Sequence, residues 1–188
     1  MDTLILASGS PRRRELLEQI GVPFEVIVSN AEEIITKTQP GAIVEELSLC
    51  KAQAVAKDHP DRFVLGADTI VVLDGQILGK PKDKDDAYRM LSALQGRDHQ
   101  VYTGVTFICS EKIYSFHEKT DVNIYPMTDQ EIEDYIQSGD CMDKAGSYGI
   151  QGRFARHIQS IKGDYYNVMG LPVGRVWQEL CFILSCKA

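Results

Sequence analysis

The chain has 188 residues, 44% of them hydrophobic and 25% charged, with 27 acidic against 20 basic side chains and a net charge of -7. That balance fits a globular protein; it excludes a disordered chain and argues against a general nucleic-acid binder, which needs a broad positive field. The five cysteines (Cys50, Cys109, Cys141, Cys181 and Cys186) form no C-x-x-C pair, and the four histidines are scattered. A zinc site of ordinary Cys/His spacing is therefore not expected, and free thiols in a reducing cytoplasm are. The apolar stretch from Leu4 to Ala7, preceded by acidic Asp2, is too short for a signal peptide, and Cys181-Phe182-Ile183-Leu184 cannot span a bilayer. No stable membrane or nucleic-acid partner is expected.

Strand and helix patterns alternate along the chain. Residues 3–7 read as a short strand, and Ser10-Pro11 then opens a helix with an N-capping residue followed by proline at the first position. Residues 24–28 form a second strand. Residues 41–57 are helical, because Ile43, Leu47, Cys50 and Ala54 recur at helical spacing. Residues 63–73 are a long apolar run interrupted around Gly66–Thr69. Asp74-Gly75 predicts a hairpin turn into residues 76–78. A helix follows at 84–94, then paired strands at 100–109 and 113–125 across Ser110-Glu111, and helices at 128–138 and 172–184. The two glycine-rich stretches at 143–152 and 163–172 read as ordered loops. An α/β fold with a mixed sheet follows from this alternation.

Some residues sit poorly in a core. Ser8-Gly9-Ser10-Pro11-Arg12-Arg13-Arg14 passes from a strand into a helix, where three cations oppose the positive end of the helix dipole. The segment is either a solvated basic turn or a site where a polyanion offsets that opposition. Asp68 lies inside an apolar strand pattern. It is either a carboxylate bonded to backbone N–H groups at a bend marked by Gly66, or a metal ligand or general base. Lys51 shares a helical face with Val44 and Leu47, so its stem either snorkels along the core edge or aims a cation into a cleft. Gly75-Gln-Ile-Leu-Gly79-Lys80-Pro81 resembles a P-loop but is one residue short and ends in proline, which leaves Lys80 as a candidate phosphate contact. Tyr148 and Gln151 offer an aromatic ring and an amide for a base, or else pack in tight turns. Cations and carboxylates grouped in an acidic protein suit a small phosphorylated substrate with a divalent cation.

Four ordered segments resemble the Maf-like proteins, nucleoside triphosphate pyrophosphatases also called septum-formation inhibitors. They are Leu6-Ala-Ser-Gly-Ser-Pro-Arg-Arg-Arg-Glu-Leu-Leu17, Gly66-Ala-Asp-Thr69 with Leu78-Gly-Lys-Pro81, Asp143-Lys-Ala-Gly-Ser-Tyr-Gly-Ile-Gln-Gly152, and Gly163-Asp-Tyr-Tyr-Asn-Val-Met-Gly-Leu-Pro172. The sequence departs from the family pattern at Asn30-Ala31, Gln95 and Ser147.

The resemblance implies one Maf-like domain over residues 1–188: an elongated mixed sheet in two lobes with flanking helices, like inosine triphosphate pyrophosphatases, with the active site in a cleft between the lobes. It implies hydrolysis of a nucleoside triphosphate to the monophosphate and pyrophosphate with magnesium or manganese. Asp68 then matches the catalytic proton acceptor, and Ser8, Arg13, Lys51 and Lys80 match positions that hold the triphosphate, Arg13 and Lys80 also countering charge during reaction. Asp68, Glu32 and Glu33 are the expected metal ligands. Arg12, Thr69 and Gln151 match the positions that mark the branch acting on dTTP and UTP, which extends to modified pyrimidine nucleotides and a role in cleaning the nucleotide pool. A cytoplasmic homodimer is expected. The alternative is a nucleotide-binding regulator of septum formation that acts through a partner in the division machinery without catalysis.

Overall fold

Leu4–Leu6 (β1), fully buried, begins the fold, which a computed structural model describes over residues 3–185. Asp2 and Cys186, weighed above, lie outside the described residues. In chain order there follow α1 (Pro11–Gln19), β2 (Phe24–Val26), α2 (Pro40–Ala56), β3 (Phe63–Leu73), β4 (Gln76–Leu78) and α3 (Lys84–Leu94). Then come β5 (Asp98–Cys109), β6 (Lys112–Ile124), α4 (Asp129–Gln137), β7 (Ile158–Lys162), α5 (Tyr165–Met169) and α6 (Val173–Ser185). Short 3₁₀ turns occupy Ala145–Ser147 and Gly152–His157.

The strands join in the order β2-β1-β3-β5-β6-β7, with β4 paired to β3. β1 runs parallel to both β2 and β3, whereas β4 is antiparallel to β3 and β7 to β6, so the sheet is mixed as expected. The Asp74-Gly75 hairpin forms with both residues at positive φ, 50° and 78°, as a two-residue turn between twisted strands demands.

Several boundaries differ from the pattern. β2 stops at Val26, and residues 27–38 carry no regular structure. β3 runs without a break through Gly66–Thr69, so Gly66 does not mark a bend. Ser10 occupies the N-cap of α1 ahead of Pro11, but its hydroxyl makes no capping bond. The stretches read as loops contain a 3₁₀ turn and the helix α5, and β7 has too little apolar alternation to announce itself.

The described residues fall into two compact units. The first comprises residues up to Asp68, Thr103–Glu118 and those from Gly170 onward; the second comprises Thr69–Tyr102 and Lys119–Met169. A core cluster of the first unit gathers Ile5, Ala7, Ala52, Val55, Val64 and Ile108. The second unit's larger core brings α3 and α4 together through Met90, Leu91, Leu94, Ile132 and Ile136, with Tyr148 and Phe154 buried beside them. Cys109 and Cys141 are buried free thiols, Cys50 is half-buried and Cys181 exposed. Among the described residues no helix is long and apolar enough to cross a membrane.

Candidate active site

The site in the first unit is set up by two glycines. A Cβ on Gly66 of β3 would stand 2.3 Å from the Ser48 carbonyl oxygen of α2, and one on Gly104 of β5 would stand 2.2 Å from that of Val44. Only hydrogen at those positions lets the α2 backbone lie directly on the sheet. Hydroxyls fix the contact further: the buried Ser48 Oγ and Thr106 Oγ1 are 2.8 Å apart, and Thr106 Oγ1 is again 2.8 Å from Oγ of exposed Ser115.

This close approach places Lys51 against Asp68. Side chains two apart on a strand share a face, so Asp68 projects from the same side of β3 as Gly66, toward α2. The Lys51 ammonium forms a short ion pair with Asp68 Oδ1 and a second at 2.9 Å with Glu33 Oε1. The Lys51 and Asp68 side chains are 18% and 13% exposed, so the pair is shielded from water but open enough for a ligand to reach it. The lysine is thus no core-edge snorkeler; its ammonium is held by two carboxylates.

Glu33 and Glu32 part company. Glu33 reaches Lys51 with its carboxylate, whereas the contact at Glu32 is through its main-chain carbonyl, which accepts from the Cys50 thiol at 3.5 Å. Both belong to the irregular segment after β2. That segment is tied down by Glu46, which accepts from the Thr36 N–H at 2.8 Å, the Thr36 hydroxyl at 2.5 Å and the Lys37 N–H at 3.3 Å. These bonds hold the Glu46 carboxyl below its ordinary value.

At the β1–α1 junction the three arginines have different fates. Arg14 is exposed and Arg12 half-buried, but Arg13 is buried. Arg13 donates through Nε to the Gly170 carbonyl at 2.9 Å and through Nη1 to Ser8 Oγ at 3.0 Å. Ser8 Oγ also accepts from the Ser10 N–H at 3.3 Å. Burial pulls the Arg13 guanidinium below its ordinary value, and the negative charges of Asp68 and Glu33 counter that pull while Arg12 adds to it. The solvated basic turn therefore gives way to a buried cation whose field is coupled to the same two carboxylates that hold Lys51.

In the second unit, Thr69 is half-buried as the residue of β3 after Asp68, and Lys80 is exposed in the turn beyond β4. The Lys80 turn is joined to the third motif: the Gly146 N–H donates to the Gly79 carbonyl at 3.0 Å. Gly146 has φ 67°, and a Cβ there would stand 3.0 Å from both Val71 methyls, so glycine is required. Gln151 is half-buried, and its Oε1 is buried without a hydrogen-bond partner. An amide acceptor removed from water and left unpaired costs about 1–3 kcal/mol, which a ligand N–H can recover. Tyr148 does not supply a ligand surface: it is 5% exposed and packs in the core of its unit.

Among the described residues no group of three or more His, Cys, Asp or Glu side chains is placed to hold a metal ion. The expected triad of Asp68, Glu32 and Glu33 reduces to two carboxylates, Asp68 and Glu33, which meet around the Lys51 ammonium. A cation already stands where those two anions converge. Magnesium binds through one or two carboxylates together with substrate phosphates and waters, so this pair fits an ion that arrives with a polyphosphate.

Sequence reasoning missed Gly170, whose carbonyl anchors Arg13, and the packing role of Gly66 and Gly104. Gly170 stood inside a quoted motif, but only the fold reveals what its carbonyl meets.

A family profile described as "Maf-like protein" matches residues 3–182. The dTTP/UTP pyrophosphatase of Agathobacter rectalis is 56% identical over 198 residues, covering 96% of this chain and 97% of that protein. The proteins of the same name from Bacillus cytotoxicus and Bacillus cereus are 54% and 52% identical, each over 96% of this chain and 95% of theirs. The structure of the Staphylococcus aureus Ham1 protein aligns with a TM-score of 0.49 at 18% identity, over 65% of this chain and 72% of that one.

Proposed function

Because the chain belongs to the Maf-like protein family, we propose that it hydrolyses dTTP and UTP to the nucleoside monophosphate and pyrophosphate. The observation that carries the chemistry is the ion-pair chain Glu33–Lys51–Asp68 beside buried Arg13. It supplies a carboxylate that can take a proton and cations that can meet a polyphosphate.

In this reading Asp68 accepts a proton from a water molecule as the water oxygen attacks the α-phosphorus. The bond from that phosphorus to the α–β bridging oxygen breaks, and its electron pair leaves with pyrophosphate. Lys51 and Arg13, with Lys80, neutralise the charge that gathers on the leaving group, which is where preorganised cations lower a barrier most. Ser8 holds Arg13 in place and offers its hydroxyl to a phosphate oxygen, and Arg12 adds a second guanidinium. A magnesium or manganese ion held by Asp68 and Glu33, with Glu32 adjacent, would neutralise phosphate charge and polarise the phosphoryl group.

Recognition of the base falls to Gln151 and Thr69. A uracil or thymine edge presents a carbonyl, an N–H and a second carbonyl. The unpaired Gln151 Oε1 supports the assignment, since it can accept from that N–H while the amide nitrogen donates to a carbonyl. A site built on such bonds rejects rings that lack them by up to about 10⁴–10⁵-fold. Tolerance at the 5-position would extend the substrates to modified pyrimidine nucleotides, with removal of such nucleotides from the pool as the role. We further propose a cytoplasmic homodimer; the thiols that are free among the described residues, Cys50, Cys109, Cys141 and Cys181, fit a reducing compartment.

The test is a nucleotide panel with magnesium or manganese in which pyrophosphate and orthophosphate are scored separately. Pyrophosphate from dTTP and UTP with little from purines supports the reading. Orthophosphate would make the protein a phosphatase, and absence of turnover would favour a binding-only regulator.

A further inference from the structure

Gln151 lies in a segment that no strand ladder holds. Its neighbours include positive-φ residues at Gly146, Ser147 and Gly152, with φ of 67°, 63° and 78°. What fixes it is side chains. Tyr148, three residues before Gln151, and Phe154, three after, pack at a tilt of 37° with ring centroids 4.9 Å apart, and Phe154 is again 4.9 Å from Tyr135. The Tyr135 hydroxyl accepts from the Gly149 N–H at 3.3 Å. The stem of Lys144 covers Gly149, and its ammonium is fixed by Asp140 and Asp143 at 2.6–2.9 Å. Gln151 is thus the apex of a loop pinned on both flanks by aromatic rings.

A side-chain bond ties this pinned loop to β5. His99, fully buried on β5, has its Nε2 2.6 Å from the Tyr148 hydroxyl oxygen, with the two rings edge to face. The other ring nitrogen, Nδ1, is buried without a partner. A buried unpaired nitrogen costs stability, and an apolar ring would fill the same space without that cost. What the histidine adds is the bond to Tyr148.

We propose that His99 is a positioning residue for base selection: from β5 it fixes Tyr148, and through Tyr148 the segment that presents the Gln151 amide. The proposal rests on the reading in which Gln151 recognises the pyrimidine. Discrimination between rings of similar size depends on amide atoms held within a few tenths of an ångström, and misplacement by a remote change is costly. His99 touches no substrate in this account; its effect is confined to where Gln151 stands.

The experiment compares kcat/KM for dTTP with that for dCTP, whose ring edge carries an amino group where thymine has a carbonyl. His99→Phe keeps the ring and removes the bond; Tyr148→Phe removes only the hydroxyl oxygen and guards against a first variant that does not fold. Both are expected to lower the dTTP:dCTP ratio roughly tenfold, with the loss falling on KM for dTTP. His99→Gln, which keeps a group able to bond the hydroxyl, is expected to recover most of the ratio. Folded phenylalanine variants that keep the wild-type ratio, or lose kcat equally on both nucleotides, would overturn the proposal if Gln151→Ala lowers the ratio. If Gln151→Ala leaves the ratio unchanged, the base assignment falls first and this proposal with it.

Discussion

Lys51 and Asp68 come from separate elements 17 residues apart, yet the ammonium of one is in short contact with the carboxylate of the other. Glu33 completes the arrangement from a third segment. A lysine neutralised by two carboxylates keeps the resting site from presenting an isolated buried charge. In the proposed reaction the oxygens of an arriving triphosphate would take over Lys51, and a cation the carboxylates. The relationship links packing to chemistry, since it exists only because α2 lies flush against β3.

Replacing Asp68 by Asn should therefore remove the proton acceptor while keeping the shape of the site. Turnover of dTTP is expected to fall by roughly 10²–10⁴-fold, the range for a general base, while nucleotide binding measured by calorimetry is retained. Turnover within threefold of wild type would remove Asp68 from that role.

Gly66→Ala tests the packing directly. The new methyl would stand 2.3 Å from the Ser48 carbonyl oxygen and 2.8 Å from the Ala52 nitrogen, both main-chain atoms that cannot swing aside. Overpacking of this kind costs about 1–3 kcal/mol, and denaturant unfolding should show it. Activity should drop more than stability alone explains, because Lys51 moves with α2. Gly75→Ala, whose Cβ would meet nothing within 4 Å but whose φ is 78°, separates backbone strain from helix displacement.

The two neighbouring glutamates should behave differently toward the metal. Glu33→Gln is expected to raise the magnesium concentration needed for half-maximal activity by about tenfold or more, and Glu32→Gln to have the smaller effect. A titration of activity against free magnesium in both variants distinguishes them; equal shifts would mean that Glu32 turns its carboxylate inward when substrate is bound.

How much of this was legible beforehand depends on where the information lies. The hairpin at Asp74-Gly75 and helix α3 were written locally, in turn residues and in a strong apolar period. Asp68 and Lys51 stood out as charges set among apolar residues and Arg13 as one of three cations at the positive end of a helix, and the fold places all three partly or wholly out of water. The choice of Glu33 over Glu32 was not legible, since adjacent acids on an irregular segment look alike until Lys51 is placed. Gly66 invited the reading of a bend because a glycine in a strand commonly marks one; its true constraint comes from a helix backbone that sequence position does not reveal. The His99–Tyr148 bond spans 49 residues and has no local signature.

His99 also makes a prediction about stability and pH. Burial pushes its pKa down to about 4, with the charge of Asp98 opposing weakly, against an ordinary value of 6.5. The unfolded chain therefore binds a proton that the folded one refuses between those values. Folding is stabilised fully above pH 6.5 and loses up to roughly 3 kcal/mol as pH falls toward 4. Stability of wild type should fall more steeply than that of His99→Phe as pH drops through that window; parallel curves would show that His99 does not stay neutral in the fold.

The proposed reaction turns on which phosphorus the water attacks. Hydrolysis of dTTP in ¹⁸O-labelled water, with the products resolved by mass spectrometry, reads that directly for the wild-type enzyme. One labelled oxygen in dTMP and none in pyrophosphate is the predicted result, since the nucleophile adds to the α-phosphorus and the bridging oxygen departs with the leaving group. Label in pyrophosphate, or label in released orthophosphate, would contradict it.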